Sequence, residues 1–348
     1  MRAVLILNPT SGESSLATNH STVEELQERI ISALQRYQIA PEVRYTTPED
    51  FGTGLAKQAA AEGVEIVIAA GGDGTLHSVA TGLIGTQTAL GIVPAGTMNN
   101  IANSLKIPED VEQACEIIVC GTTSQIDVGE INGHIFLEVA GIGLEAAIFP
   151  AAEEFKSKGL GSTLHALFSG MRTLVTFQPT RFTFSFDGKR RRHYKAVQIS
   201  ICNSPFYGAH LQFAPHALMN DGLLDILIYR KFSNLKYIFY ALFVSQGLRR
   251  LTPRISHRKV KTLYVDAETP IEIHADGEQI GHTPATITIH PGVLCVRVPQ
   301  KVAFGPNIDG AVPKQRITKK ERETSNTIKK HESKQVSTRE EKGPLNVK

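Results

Sequence analysis

Gly71-Gly72-Asp73-Gly74-Thr75-Leu76-His77 sets three glycines around one carboxylate and one hydroxyl, directly after the apolar run Ile66 to Ala70. Glycines let backbone amides turn toward a ligand without Cβ interference. A strand, a glycine turn and a helix start, here expected over 78–84, together form a cradle for an anion. Two bare glycines would be an ordinary strand-to-helix turn. Asp73 points further, because a carboxylate in a phosphate cradle makes sense chiefly beside a divalent cation. The chemistry indicated is the handling of a nucleotide triphosphate.

Two more segments offer related groups. Asn8-Pro9-Thr10-Ser11-Gly12 follows the run Ala3 to Leu7 and presents amides and hydroxyls suited to phosphate oxygens, although alone it is a polar turn. Pro94-Ala95-Gly96-Thr97-Met98-Asn99-Asn100 follows Leu90 to Val93. Either asparagine could simply cap the helical stretch 101–105.

These loops need a sheet to position them. Up to about residue 125 the pattern alternates strand and helix: strands over 3–7, 42–45, 66–70 and 90–93, helices over 22–37, 54–61 and 111–119. Such alternation implies a doubly wound parallel sheet with helices on both faces, and ligands then sit beyond the carboxyl ends of the strands. The three loops leave those ends and are expected to converge. From Ile126 onward the pattern changes to short strands: 181–186, the turn Asp187-Gly188, then 194–202, 224–229, 262–265, 271–274, 286–289 and 294–298. This reads as an antiparallel sandwich, interrupted by helical spacing near 160–175 and 232–250. The fold class expected is therefore α/β, with an N-terminal nucleotide-binding domain (1–125, completed near 299–308) and a C-terminal antiparallel β-sandwich domain (126–298).

With 348 residues, 41% hydrophobic and 20% charged, the chain suits two globular domains. Met1 leads straight into a strand, so no signal peptide is expected, and no apolar run approaches the roughly 20 residues of a membrane span. Cys115, Cys120, Cys202 and Cys295 lack metal-ligand spacing and read as buried, reduced thiols of a cytoplasmic protein. From Ala311 to Lys348 eleven Lys or Arg face five Glu, without an aromatic residue. Residues 309–348 are expected to be a disordered basic tail. It reads as a solubilising extension, or as a weak tether to anionic lipid or nucleic acid; no nucleic-acid partner is expected.

The ordered blocks Asn8 to Gly12, Gly71 to Thr75, Pro94 to Asn99, Ile126-Asp127-Val128-Gly129, Gly141-Ile142-Gly143, Asn220-Asp221-Gly222-Leu223-Leu224-Asp225 and Asp276-Gly277-Glu278 span both domains. In these the chain resembles the bacterial lipid kinases of the diacylglycerol kinase catalytic-domain superfamily. The resemblance implies an ATP-dependent transfer of the γ-phosphoryl group to a lipid hydroxyl, with Mg²⁺. Gly71, Gly72, Asp73, Gly74, Thr75, Leu76 and His77 would form the triphosphate loop, with Asn8, Pro9, Thr10, Ser11, Gly12, Thr47 and Thr97 adding contacts. Asp73 and Asp127 would hold the catalytic Mg²⁺ through water. Leu218, Asp221 and Leu223 match a second, structural Mg²⁺ site, although Asn220-Asp221-Gly222 is equally a metal-free turn. Glu278 would be the general base; taken alone, Asp276-Gly277 is a hairpin turn and Glu278 an exposed acid. Peripheral contact with an anionic membrane at the inner surface is implied, and a homodimer is compatible.

Some positions depart from the family pattern: Asn100 stands where Asp is usual, Asn103 where Arg is common, and Glu13 where Lys is frequent. Each removes or reverses charge in the cleft. NAD kinases share the Gly-Gly-Asp-Gly core without the later blocks, so a small-molecule kinase is the enzymatic alternative. A non-catalytic nucleotide- or lipid-binding protein is the alternative outside enzymes. Lys189-Arg190-Arg191-Arg192 at the expected hairpin tip could meet anionic lipid or be a solvated turn. The stripe Tyr237, Ile238, Phe239, Leu242 and Phe243 reads as core before interfacial helix. Neither His77 nor His165 has metal-like partners in the sequence.

Overall fold

The computed structural model describes residues 1–9, 23–144, 178–207, 214–230 and 255–300. Thr10, Ser11, Gly12, Glu13, His165, the stretches 160–175 and 232–250, residues 301–308 and the basic tail lie outside the described residues.

In the N-terminal lobe β1 (Ala3–Leu7) runs parallel to β2 (Glu42–Tyr45) on one side and to β3 (Ile66–Gly71) on the other. β4 (Ala89–Pro94) extends the sheet parallel to β3. β1, β3 and β4 are buried along their whole length, as strands covered on both faces must be. The cover comes from α1 (Val23–Gln35) packed on α5 (Val111–Cys120), and from α2 (Thr53–Ala61) packed on α3 (Asp73–Leu83). α3 begins at Asp73, not near Ser78 as the spacing suggested. Gly72 takes an extended cap conformation and Asp73 supplies the acid that favours a helix N-terminus. Asp73 to His77 are thus the first turns of a helix, and the true loop is Gly71-Gly72. The short α4 is Asn100–Ser104.

The second lobe is antiparallel, as its alternation predicted. β5 (Thr122–Ile131) leads into β6 (His134–Phe136) and β7 (Val139–Gly143). β8 (Thr180–Phe186), β9 (Arg192–Cys202), β10 (Leu224–Arg230), β11 (Ile255–Val260) and β12 (Thr262–Ala267) follow, then β13 (Glu272–Ala275), β14 (Glu278–His282) and β15 (Ala285–Val298). Ile131, Phe136, Phe184, Ile199 and Ile287 help fill its core.

The two runs expected at 286–289 and 294–298 are one strand. β15 shifts register between His290 and Leu294, where Gly292 takes φ 63°. Before this bulge Ile287 and Ile289 face the sandwich core; after it Leu294 and Val296 face the α/β core. Val296 pairs parallel with Leu90 of β4, so β15 completes the first sheet. One correction concerns the thiols: Cys115, Cys202 and Cys295 are buried, but Cys120, the last residue of α5, is exposed.

Candidate active site

Two of the three glycine- and asparagine-bearing loops meet at the carboxyl ends of β1, β3 and β4 through backbone contacts, and the start of the third joins them. Asn8 Nδ2 donates to Thr75 Oγ1 at 3.2 Å, which ties the end of β1 to the first turn of α3. The Ala95 amide donates to the Gly71 carbonyl at 3.0 Å. Gly72 and Gly96 then approach so closely that a Cβ on Gly96 would lie 2.4 Å from the Gly72 Cα. No other residue fits this crossing. Asn99 holds the third loop by accepting from the Gly96 amide and donating to the Gly96 carbonyl. Pro9 and Thr97 are exposed beside this crossing. Thr47 sits apart from these bonds, in a turn where its Oγ1 accepts from the Asp50 amide at 3.2 Å, and Asp50 in turn accepts from Gly52, Gly54 and Leu55 at the start of α2.

Asp73 Oδ2 accepts from the Asn100 amide at 3.1 Å and Oδ1 from the Ile101 amide at 3.2 Å. The carboxylate therefore docks the start of α4 against the start of α3. Glu138 lies between this carboxylate and a third, Asp276, and feels the charge of both. Glu138 is 3% exposed. Burial above all, then the charges of Asp276 and Asp73, push its carboxyl well above the usual range, while a hydrogen bond from the Asn100 side chain opposes this. Asn100 thus offers a donor where an Asp would add another negative charge.

Asp276 and Gly277 form the tight turn between β13 and β14, with φ 44° and 93°, the two positive values a type I′ hairpin requires. Asp276 accepts from the amides of Leu137 (2.6 Å), Glu138 (2.9 Å) and Val139 (3.0 Å). Burial raises its carboxyl against the pull of His77 and these three amides. His77 Nε2 lies 3.8 Å from Asp276 Oδ2 and 3.1 Å from the Ile135 carbonyl. The second turn of the glycine-loop helix therefore touches the hairpin whose next residue is Glu278. Glu278 opens β14 opposite Ala275 and is exposed.

Asp127 gathers with a different group. It is 2% exposed, with Oδ1 accepting from the Gly292 amide (2.8 Å) and Oδ2 from the Gly222 amide (2.6 Å). Burial, with Asp221 adding to it, raises its carboxyl against those two amides. Beside it, Asp221 Oδ1 accepts from the Leu223 amide, and Asp221 Oδ2 lies 2.5 Å from Lys259 Nζ. Lys259 also reaches the His216 carbonyl (3.3 Å) and Asp225 Oδ2 (3.4 Å), while His257 pairs with Asp225 Oδ1. Lys259 thus contacts the Asp221 carboxylate, the one side chain in the structural Mg²⁺ site that the resemblance implies with Leu218 and Leu223. Among the described residues no three His, Cys, Asp or Glu side chains form a ready-made metal cage.

Two residues of this region escaped the sequence reading. Glu138 had a signal, being the single acid within the apolar run Ile135 to Ala140. Asn203, which follows β9, had none: its Nδ2 donates to both the Asp127 and the Leu137 carbonyls at 2.9 Å and so joins the two carboxylate groups through the backbone.

The diacylglycerol kinase catalytic domain matches residues 2–131, and the YegS C-terminal NAD kinase beta sandwich-like domain matches residues 138–298. The diacylglycerol kinase of Bacillus subtilis (strain 168) is 30% identical over 291 residues, covering 81% of this chain and 91% of its own. A "Probable lipid kinase YegS-like" of Enterobacter sp. (strain 638) is 30% identical over 298 residues, covering 83% and 97%. The crystal structure of a diacylglycerol kinase from Bacillus anthracis str. Sterne shares the fold, with a TM-score of 0.65 at 21% identity over 85% of this chain and 96% of its own. Sequence kinship across both lobes and a shared fold agree: this chain belongs to the diacylglycerol kinase and YegS-like family of lipid kinases.

Proposed function

We propose that the chain transfers the γ-phosphoryl group of ATP to the free hydroxyl of a lipid, with Glu278 as general base. The observation that supports this most is the contact between α3 and the β13–β14 hairpin, seen in the 3.8 Å approach of His77 to Asp276. On this reading the residue after that turn, Glu278, faces the loop that would hold the triphosphate. A glutamate there can accept the proton of a lipid hydroxyl as the oxygen attacks phosphorus. On this reading Gly71 to Thr75, Asn8 and Thr97 hold the phosphates through amides and hydroxyls, together with the segment Thr10 to Gly12. The carboxylates of Asp73 and Glu138 suit a hard cation that takes its remaining ligands from the nucleotide. Mg²⁺ would there neutralise charge on the β- and γ-phosphates. Asp127 would act through the turn it staples. The acceptor demands an encounter with a membrane surface, and among the described residues no helix is long and apolar enough to cross one.

The test is phosphorylation with radiolabelled ATP and Mg²⁺ of diacylglycerol, phosphatidylglycerol, a sphingoid base and an isoprenoid alcohol, with NAD as a soluble acceptor alongside. Label in one of these lipids is the expected result. ATP binding without label in any lipid would make the chain a binding protein, and label in NAD instead would make it a small-molecule kinase.

A further inference from the structure

The β8–β9 hairpin and β11 enclose a cleft of about 650 Å³ whose chemistry the kinase site does not use. Phe186, Arg190, Arg191, Arg192, Tyr194 and Arg258 line it. The cations are held in place by rings: Arg258 lies 5.1 Å from the Phe186 ring centre, Arg230 4.6 Å from Tyr194, and Arg191 5.4 Å from Tyr264. Stacking fixes the plane of a guanidinium while leaving its N–H edge free to donate. A hydrogen bond from Arg192, then the charges of Arg258 and Arg192, hold the Tyr194 phenol below its ordinary value against burial. Two guanidinium groups therefore crowd one phenol oxygen.

Among the described residues these charges are not paired with carboxylates. Among the described residues the Lys and Arg side chains paired with carboxylates are Arg29, Arg44, Arg181 and Lys259. Arg190, Arg191, Arg192, Arg230 and Arg258 are not among them. The one acid lining the cleft, Asp187, has Oδ1 occupied by the amides of Lys261 (2.8 Å) and Thr262 (3.1 Å). Several like charges gathered on fixed rings cost free energy unless an anion joins them.

We propose that this cleft is a second anion site that takes a phosphate monoester. A monoester carries about −1.5 to −2 charge and three terminal oxygens, enough to accept paired N–H bonds from two guanidinium groups. A diester headgroup offers one charge and two such oxygens. Lys259 also lines the cleft but is taken up by Asp221 and Asp225; none of the lining residues belongs to the nucleotide loops or to the Asp73, Glu138 and Asp276 group, so the inference does not rest on the kinase reading. The monoester can be a lipid headgroup or a soluble phosphate ester.

The experiment uses the full chain and the Arg192→Gln/Arg258→Gln variant. Flotation compares phosphatidylcholine vesicles containing phosphatidic acid with vesicles of matched surface charge containing phosphatidylglycerol. Thermal melting with glycerol 3-phosphate tests the soluble ester. Preference for phosphatidic acid of about tenfold, lost in the variant, supports the proposal with a lipid source. A rise in melting temperature with glycerol 3-phosphate, without that preference and lost in the variant, supports it with a soluble source. Equal binding to both vesicles with no response to glycerol 3-phosphate overturns it, as does retention of either effect in the variant. If that variant fails to fold, Arg190→Gln/Arg192→Gln at the exposed hairpin gives the same reading.

Discussion

Glu138 sits at 3% exposure beside Asp73 and Asp276, and its raised carboxyl follows from that enclosure. The folded state holds the proton more tightly than the unfolded chain does, so this group lowers stability as pH climbs from the ordinary carboxylate range through the raised value. Glu138→Gln keeps the shape and removes the charge. The nucleotide-free variant should melt above the parent at about pH 8, with the difference shrinking toward about pH 5; a constant difference would show that charge is not the cause. Glu278 plays the opposite part, exposed and poised next to the turn. Glu278→Ala should lower kcat by about 10²–10⁴-fold and leave the ATP dissociation constant within about twofold. Steady-state kinetics and calorimetry would separate the two, and equal loss of both would exclude a base. The glycine motif marked Asp73, and the family resemblance marked Asp127 and Glu278, but neither could show partners. Asp127 turned out to staple the Gly222 and Gly292 amides, and Asp73 to dock α4, because which amide a carboxylate meets is settled by tertiary packing.

At the scale of elements, the turn at Asp221 is held by a side chain from the neighbouring strand. Asp225 pairs with Lys259 across β10 and β11, and the ammonium reaches Asp221 as well. Lys259→Met would remove the ammonium 3.4 Å from Oδ2 of Asp225, a carboxylate 1% exposed whose Oδ2 has no hydrogen bond of its own. The expected loss is about 1–3 kcal/mol, read by urea denaturation. Without nucleotide, Mg²⁺ should leave the parent's melting temperature unchanged and raise the variant's; a parent strongly stabilised by Mg²⁺ through Asp221 would contradict the lysine's role. The strands of the first lobe were legible because β1, β3 and β4 are uninterrupted apolar runs, and two of the hairpin turns announced themselves as Asp-Gly pairs. β7 and β11 were not. Val139–Gly143 is rich in glycine, and Ile255–Val260 is mostly polar and exposed, so neither has the alternation that marks a strand.

At the scale of the molecule, β15 belongs to both cores, and the bulge at Gly292 passes it from one to the other. Heat should therefore melt the two lobes in one transition, with hydrogen exchange in β3 and β9 reporting the same opening free energy; two separated transitions would show that the shared strand does not couple them. That same strand sets a hazard during synthesis. β4 is complete at Pro94, yet its neighbour arrives only with Leu294–Val298. At roughly 5–20 residues per second the ribosome leaves that apolar edge open for on the order of 10–40 s. An unpaired strand edge invites pairing with a second nascent chain. The last of the described strands to emerge is then the one that closes the first sheet begun, and any premature stop before it releases a chain with a sticky rim.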